Sequence, residues 1–237
     1  YEPDYQTEHL LEFIDKAIET DSDKPFFGYV SYGPPHFPNN MPDNWRTMYN
    51  PQDMDLRVGV PDMELQKVVQ DRRLNQFCNR DPKTAHHSHA AYDTKPAGEP
   101  ETEDEIRQFM AEYYGMISNI DWNIGRILNH LDKVGVAENT LVIVFSDHGD
   151  MLGQHGSFCG IKNQAYRAAM QVPFIIRYPK RIHAGQTTEA MVDVGVDLMA
   201  TVCEMLGLPL PAGTNSKSYL DVLDGKRSNQ RDVIQYQ

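Results

Sequence analysis

Apolar side chains recur every three or four positions in several stretches of the chain, the spacing that lines one face of an α-helix. Across residues 7–19 the stripe is Leu10, Leu11, Phe13, Ile14, Ala17 and Ile18, broken by Lys24-Pro25. A longer stripe runs through Ile106, Phe109, Met110, Tyr113, Ile117, Ile120, Ile124, Ile127, Leu128 and Leu131. Thr102-Glu103-Asp104-Glu105 precedes it as a capping box, and Gly135 is its predicted stop. Further helices are predicted over 197–206, closed by Gly207 and Pro209, and near 164–170. Continuous apolar runs read instead as strands: 26–32, ended by Gly33-Pro34-Pro35; 141–145, expected to be buried on both faces; and 172–178. Helices alternating with short buried strands predict an α/β fold, a mainly parallel sheet covered by helices on both faces. From about 38 to 101 the pattern fades into Pro, Asn, Asp and His, with one short helix expected near 63–77. An irregular connection of that length is usually functional or mobile.

Composition narrows the function classes. The net charge is −12 over 237 residues, which argues against a general nucleic-acid surface built from Lys and Arg. It leaves room for a local basic pocket. No apolar run reaches the length of a membrane span. The opening Tyr1-Glu2-Pro3-Asp4 is polar and shows no leader pattern, and without an initiating Met the true start is expected upstream. Cys78, Cys159 and Cys203 are odd in number and form no C-x-x-C, so they read as structural or incidental thiols.

The strongest chemical signal is the end of the 141–145 run, where Ser146-Asp147-His148-Gly149-Asp150 follows directly. Ligands of open α/β sheets collect beyond the carboxyl ends of strands. A carboxylate beside an imidazole there suits a divalent cation, with further ligands required from elsewhere. The competing reading is a helix-capping Asp and a solvated His. His36 lies just past another predicted strand, in Gly33-Pro34-Pro35-His36-Phe37-Pro38, where prolines restrict the backbone. It is either an oriented acid–base group or a packed turn residue. Lys162 is a candidate point charge for a sulfate or phosphate oxygen, against the plainer reading of a surface lysine. His86-His87-Ser88-His89 reads as a solvated loop more readily than as a metal site, because no nearby carboxylate or Cys completes a ligand set.

Four segments, in order, resemble the sulfatase family of the alkaline phosphatase superfamily. They are Lys24-Pro25-Phe26-Phe27 leading to Pro35-His36-Phe37-Pro38; Val144-Phe145-Ser146-Asp147-His148-Gly149 with Leu152-Gly153-Gln154-His155-Gly156; Lys162, Tyr166 and Val172-Pro173-Phe174-Ile175-Ile176; and Val196-Asp197-Leu198, Thr201 and Leu206-Gly207-Leu208-Pro209. The resemblance implies an alkaline-phosphatase-like fold, here incomplete, with residues 1–237 as one partial catalytic domain carrying the long variable loop at about 38–101. It implies that Asp147 and His148 ligate a divalent metal such as Ca2+, and that Lys162 contacts a sulfate. It also implies that His36 contacts the sulfate or protonates the leaving alcohol. His155 is placed as a supporting or substrate-contacting residue.

The implied activity is hydrolysis of sulfate esters of a carbohydrate or small alcohol, in an exported (periplasmic or extracellular) or lysosomal protein. The alternatives are a phosphonate monoester or phosphodiester hydrolase of the same superfamily, and a non-catalytic relative that binds sulfated glycans. The family's formylglycine nucleophile arises in a Cys/Ser-x-Pro/Ala-x-Arg motif. No Cys or Ser here fits it: Cys78 precedes Asn79-Arg80, Cys159 precedes Gly160-Ile161, and Cys203 precedes Glu204-Met205. The family's early Asp pair is missing too. Arg167 stands where an acidic residue is usual, and Lys180 where Gly is common. Nucleophile and remaining ligands are therefore expected upstream, and these residues alone are expected to lack turnover.

Overall fold

The computed structural model describes residues 1–36, 39–56, 102–154, 162 and 165–232. The short helix expected near 63–77, the histidines at 86, 87 and 89, and His155 lie outside the described residues. Helices α1 (Glu2–Thr20), α2 (Asp43–Arg46), α3 (Glu103–Lys133), α4 (Arg167–Met170), α5 (Val194–Met205) and α6 (Leu220–Leu223) are joined by strands β1 (Val142–Phe145) and β2 (Phe174–Arg177). The chain forms two compact units, Tyr1–Gly135 with Asp150–Ala169, and Val136–Gly149 with Met170–Gln237.

In the first unit α1 begins five residues before its apolar stripe. Pro3 sits in the opening turn, where its missing N–H costs nothing, and Glu2 and Asp4 face the positive end of the helix dipole. Helix α3 has the predicted capping box: Thr102 Oγ1 accepts from Glu105 N–H at 3.3 Å, and the Glu105 carboxylate accepts from Thr102 N–H at 2.7 Å. Gly135 takes the positive φ, 78°, that a helix stop favours. The start of α3 packs as its stripe predicts, with Ile106, Phe109, Met110 and Ala111 in one buried cluster with Met54 and Leu152. Its middle does not. Ile117 is exposed, whereas Asn119 and Asn123 are buried against α1. Asn123 Nδ2 donates to Asp4 Oδ1 at 2.9 Å, Arg126 pairs with Glu8 at 3.3 Å, and His130 meets Asp15 at 2.7 Å. These contacts run in step along both helices, so α1 and α3 lie side by side in the same direction.

Residues 26–32, expected to form a strand, belong to no ladder among the described residues. They run beside α1 instead. Phe26 packs edge-on against Phe13, Gly28 meets Leu10, and Tyr32 Oη lies 2.7 Å from Thr7 Oγ1. Strand-like alternation survives: Phe27 and Tyr29 are exposed, while Phe26, Val30 and Tyr32 are half-buried.

Gly115 of α3 is a position where packing forbids a side chain, because a Cβ would run into the backbone carbonyl of Trp45. Gly125, in the same helix, has nothing within 4 Å of that position. Gly125→Ala is therefore expected to stabilise by about 0.5–1 kcal/mol through helix propensity. Gly115→Ala should destabilise by about 1–3 kcal/mol through overpacking. Urea unfolding of the two variants checks the opposite signs.

In the second unit β1 and β2 pair antiparallel, Val142 with Arg177 through Phe145 with Phe174. The sheet was expected to be mainly parallel, and this pair is an antiparallel member. A parallel neighbour needs a crossover, usually carried by a full helix. Of the helix expected near 164–170, the described part is the four-residue α4. One antiparallel pair is an ordinary component of larger mixed sheets. Nor is β1 buried on both faces: Val142, Ile143 and Val144 are half-buried and Phe145 is exposed. Helix α5 starts at Val194, because Asp193 caps it by accepting from Val196 N–H at 3.1 Å. Asp197, the expected start, lies one turn inside and is fully buried.

Candidate active site

The turn after β1 is held by its own side chains. Asp147 Oδ1 accepts the N–H of His148 at 2.9 Å, and Ser146 Oγ donates to the His148 carbonyl at 2.7 Å. Residues 148–153 form no helix, so Asp147 is not a helix cap. His148 Nδ1 lies 2.8 Å from the Gly149 carbonyl. A carbonyl only accepts, so Nδ1 donates this bond, and in the neutral ring Nε2 is then the nitrogen available as a ligand.

Nε2 of His148 and Oδ2 of Asp147 stand 3.4 Å apart. Two acceptors this close repel unless a proton or a cation lies between them. Neighbouring ligands at right angles around a cation, with bonds of about 2.4 Å, stand about 3.4 Å apart. That spacing suits a two-atom pincer on a divalent ion, as it equally suits an ion pair with a protonated ring. The pair is accessible as well, since the Asp147 side chain is 81% exposed. Among the described residues no group of three His, Cys, Asp or Glu forms a fuller ligand set. Two donors leave a coordination shell open, and the remaining ligands must come from elsewhere.

His36 and Lys162 belong to the first unit. His36 is exposed on the turn after residues 26–32, with its backbone N–H on the Gly33 carbonyl at 3.1 Å. The turn contains a cis peptide between Pro34 and Pro35. Lys162 is half-buried. The structure thus brings Asp147 and His148 together as a doublet. Sequence reasoning missed Ser146, although a hydroxyl residue directly before the doublet was the available signal.

The sulfatase family model matches residues 1–208, most of the chain. The chain belongs to the sulfatase family. A relative to this sulfatase chain is the N-acetylglucosamine-6-O-sulfatase of Bacteroides thetaiotaomicron, 36% identical over 128 residues, covering 54% of this chain and 22% of that protein. Another is the multifunctional alkaline phosphatase superfamily protein PehA of Trinickia caryophylli, 32% identical over 218 residues, covering 90% of this chain and 40% of that one. Among solved structures, the phosphonate monoester hydrolase from Silicibacter pomeroyi superposes with a TM-score of 0.76 at 27% identity, over 98% of this chain and 43% of that one. The fold is accordingly alkaline-phosphatase-like, as the sulfatase resemblance implies. The chain spans 22% to 40% of the length of these two curated relatives.

Proposed function

We propose that these residues form the cation- and sulfate-contacting part of a sulfuric ester hydrolase, within one catalytic domain. The observation that carries the reading is the Asp147–His148 pincer, on a turn inside the family match. The two side chains hold a divalent cation, proposed as Ca2+, whose charge when bound polarises the sulfuryl oxygens. Lys162 contacts the sulfate and offsets the charge that develops on it. His36 contacts the sulfate or delivers a proton to the oxygen of the departing alcohol. The reading requires these four groups to converge. His155 is proposed to support substrate contact. The nucleophile, a formylglycine by the resemblance, is proposed to lie outside these 237 residues, since no matching motif occurs within them.

A sulfated carbohydrate or small alcohol is the proposed substrate, supported by the N-acetylglucosamine-6-O-sulfatase relative. An exported or lysosomal setting is proposed on the family resemblance. No described helix is long and apolar enough to cross a membrane. A second reading, hydrolysis of phosphonate monoesters or phosphodiesters, is favoured by the phosphonate monoester hydrolase superposition.

Comparing kcat/KM of the full-length enzyme for an aryl sulfate, a phosphate diester and a phosphonate monoester decides between them. The sulfate ester is expected to be fastest; a faster diester or phosphonate supports the second reading. Metal-dependent retention of a sulfated glycan without hydrolysis would identify a binding protein instead. Removing the cation with a chelator is expected to lower sulfate-ester turnover by two or more orders of magnitude, about 3 kcal/mol or more of barrier, with recovery on adding Ca2+. Turnover that is indifferent to the chelator contradicts the role of the pincer.

A further inference from the structure

The cation doublet has a support of its own. Three hydrogen bonds fix His148: its N–H on Asp147 Oδ1, its carbonyl on Ser146 Oγ, and its ring Nδ1 on the Gly149 carbonyl. The first and third are made by groups that a substitution at Ser146 leaves in place. The second depends on the Ser146 hydroxyl. Its oxygen is also 3.4 Å from Asp147 Oδ1, so one side chain stands beside both members of the doublet. Holding the N–H and the carbonyl of one residue together fixes its φ and ψ, and with them the direction of its Cβ. Without the hydroxyl the His148 carbonyl loses its partner on that side, and the ring's aim toward Asp147 Oδ2 rests on two bonds.

We infer that Ser146 is a positioning residue for the cation site: its hydroxyl holds the His148 backbone so that Asp147 Oδ2 and His148 Nε2 present themselves as one pincer. The inference rests on the proposed role of that doublet. Partners that orient a ligand in this way typically change metal affinity by about 10–100-fold when removed.

Calorimetric titration of the metal-free, full-length enzyme with Ca2+ tests it, alongside the melting temperature of the metal-free protein. Ser146→Ala should weaken Ca2+ affinity about 10–100-fold at an unchanged metal-free melting temperature. Ser146→Thr, which keeps the hydroxyl, should bind within about threefold of wild type. Asp147→Ala separates the two levels of the argument. If it binds Ca2+ as wild type does, the doublet is not the cation site, and the proposed function fails at its base. If it loses Ca2+ while Ser146→Ala binds normally, the positioning role alone is overturned. A loss in Ser146→Ala that Ser146→Thr does not recover overturns it equally.

Discussion

Lys162→Ala and His36→Ala are each expected to lower sulfate-ester turnover of the full-length enzyme by about a hundredfold or more. Neither change should unfold the protein. His36 is exposed, and its backbone N–H is held on the Gly33 carbonyl whatever its side chain. Lys162 is half-buried, and alanine there removes a charge without introducing a larger group. The two losses should differ in kind. A lysine that contacts the sulfate acts on every ester alike, so its removal slows aryl and alkyl sulfates by similar factors. A histidine that protonates the leaving oxygen matters most when the alcohol leaves poorly. His36→Ala should therefore depress alkyl sulfate turnover far more than p-nitrophenyl sulfate turnover. A uniform loss across leaving groups would make His36 a sulfate contact only. Wild-type rates in both variants would remove both assignments.

What the sequence revealed follows the range of the interactions involved. Helix α3 was legible to its ends because its signals are local: Thr102 and Glu105 cap each other, and Gly135 supplies the left-handed stop. Its interior was not, because burial of Asn119 and Asn123 depends on Asp4, more than a hundred residues away. The direction of the β1–β2 ladder escaped for a similar reason, since an apolar run carries no record of its partner's orientation. Residues 26–32 show a strand's alternation without a ladder, so periodicity identified the faces and not the pairing. Asp147 and His148 were legible because adjacency at a strand end is itself a local pattern. Their pincer geometry was not, because it depends on ring orientation set by the Gly149 carbonyl. The inclusion of Lys162 and His36 came from the order of family-like segments, as no spacing in the chain ties them to residue 147.

Asp197 shows how a misplaced helix start conceals a buried polar junction in the second unit. The helix was expected to begin at Asp197, but its cap is Asp193, and Asp197 is buried as a junction. Its carboxylate receives a two-pronged contact from Arg231, the N–H of Lys217 at 2.9 Å and the N–H of Asp193 at 3.2 Å. Thr201 extends the junction by accepting the N–H of Tyr219 at 3.0 Å. One side chain thus ties α5 to the segments before α6 and at residue 231. Asp197→Ala is expected to destabilise by about 3–5 kcal/mol, because Arg231 is left largely buried and unpaired. Arg231→Lys should cost less, as it keeps the charge but loses the planar fork. The pH dependence has a definite sign. Burial pushes the Asp197 carboxyl up, but Arg231 and the backbone N–H groups outweigh it and hold the group below the usual carboxylate range. A carboxyl lowered by folding stabilises above its unfolded value, about 3.9, and that stabilisation is lost as pH falls through the folded value. Wild-type protein should therefore lose stability on acidification below about pH 4 by more than Asp197→Asn does. Parallel acid-unfolding curves for the two proteins would show that the buried carboxylate is not what holds this junction.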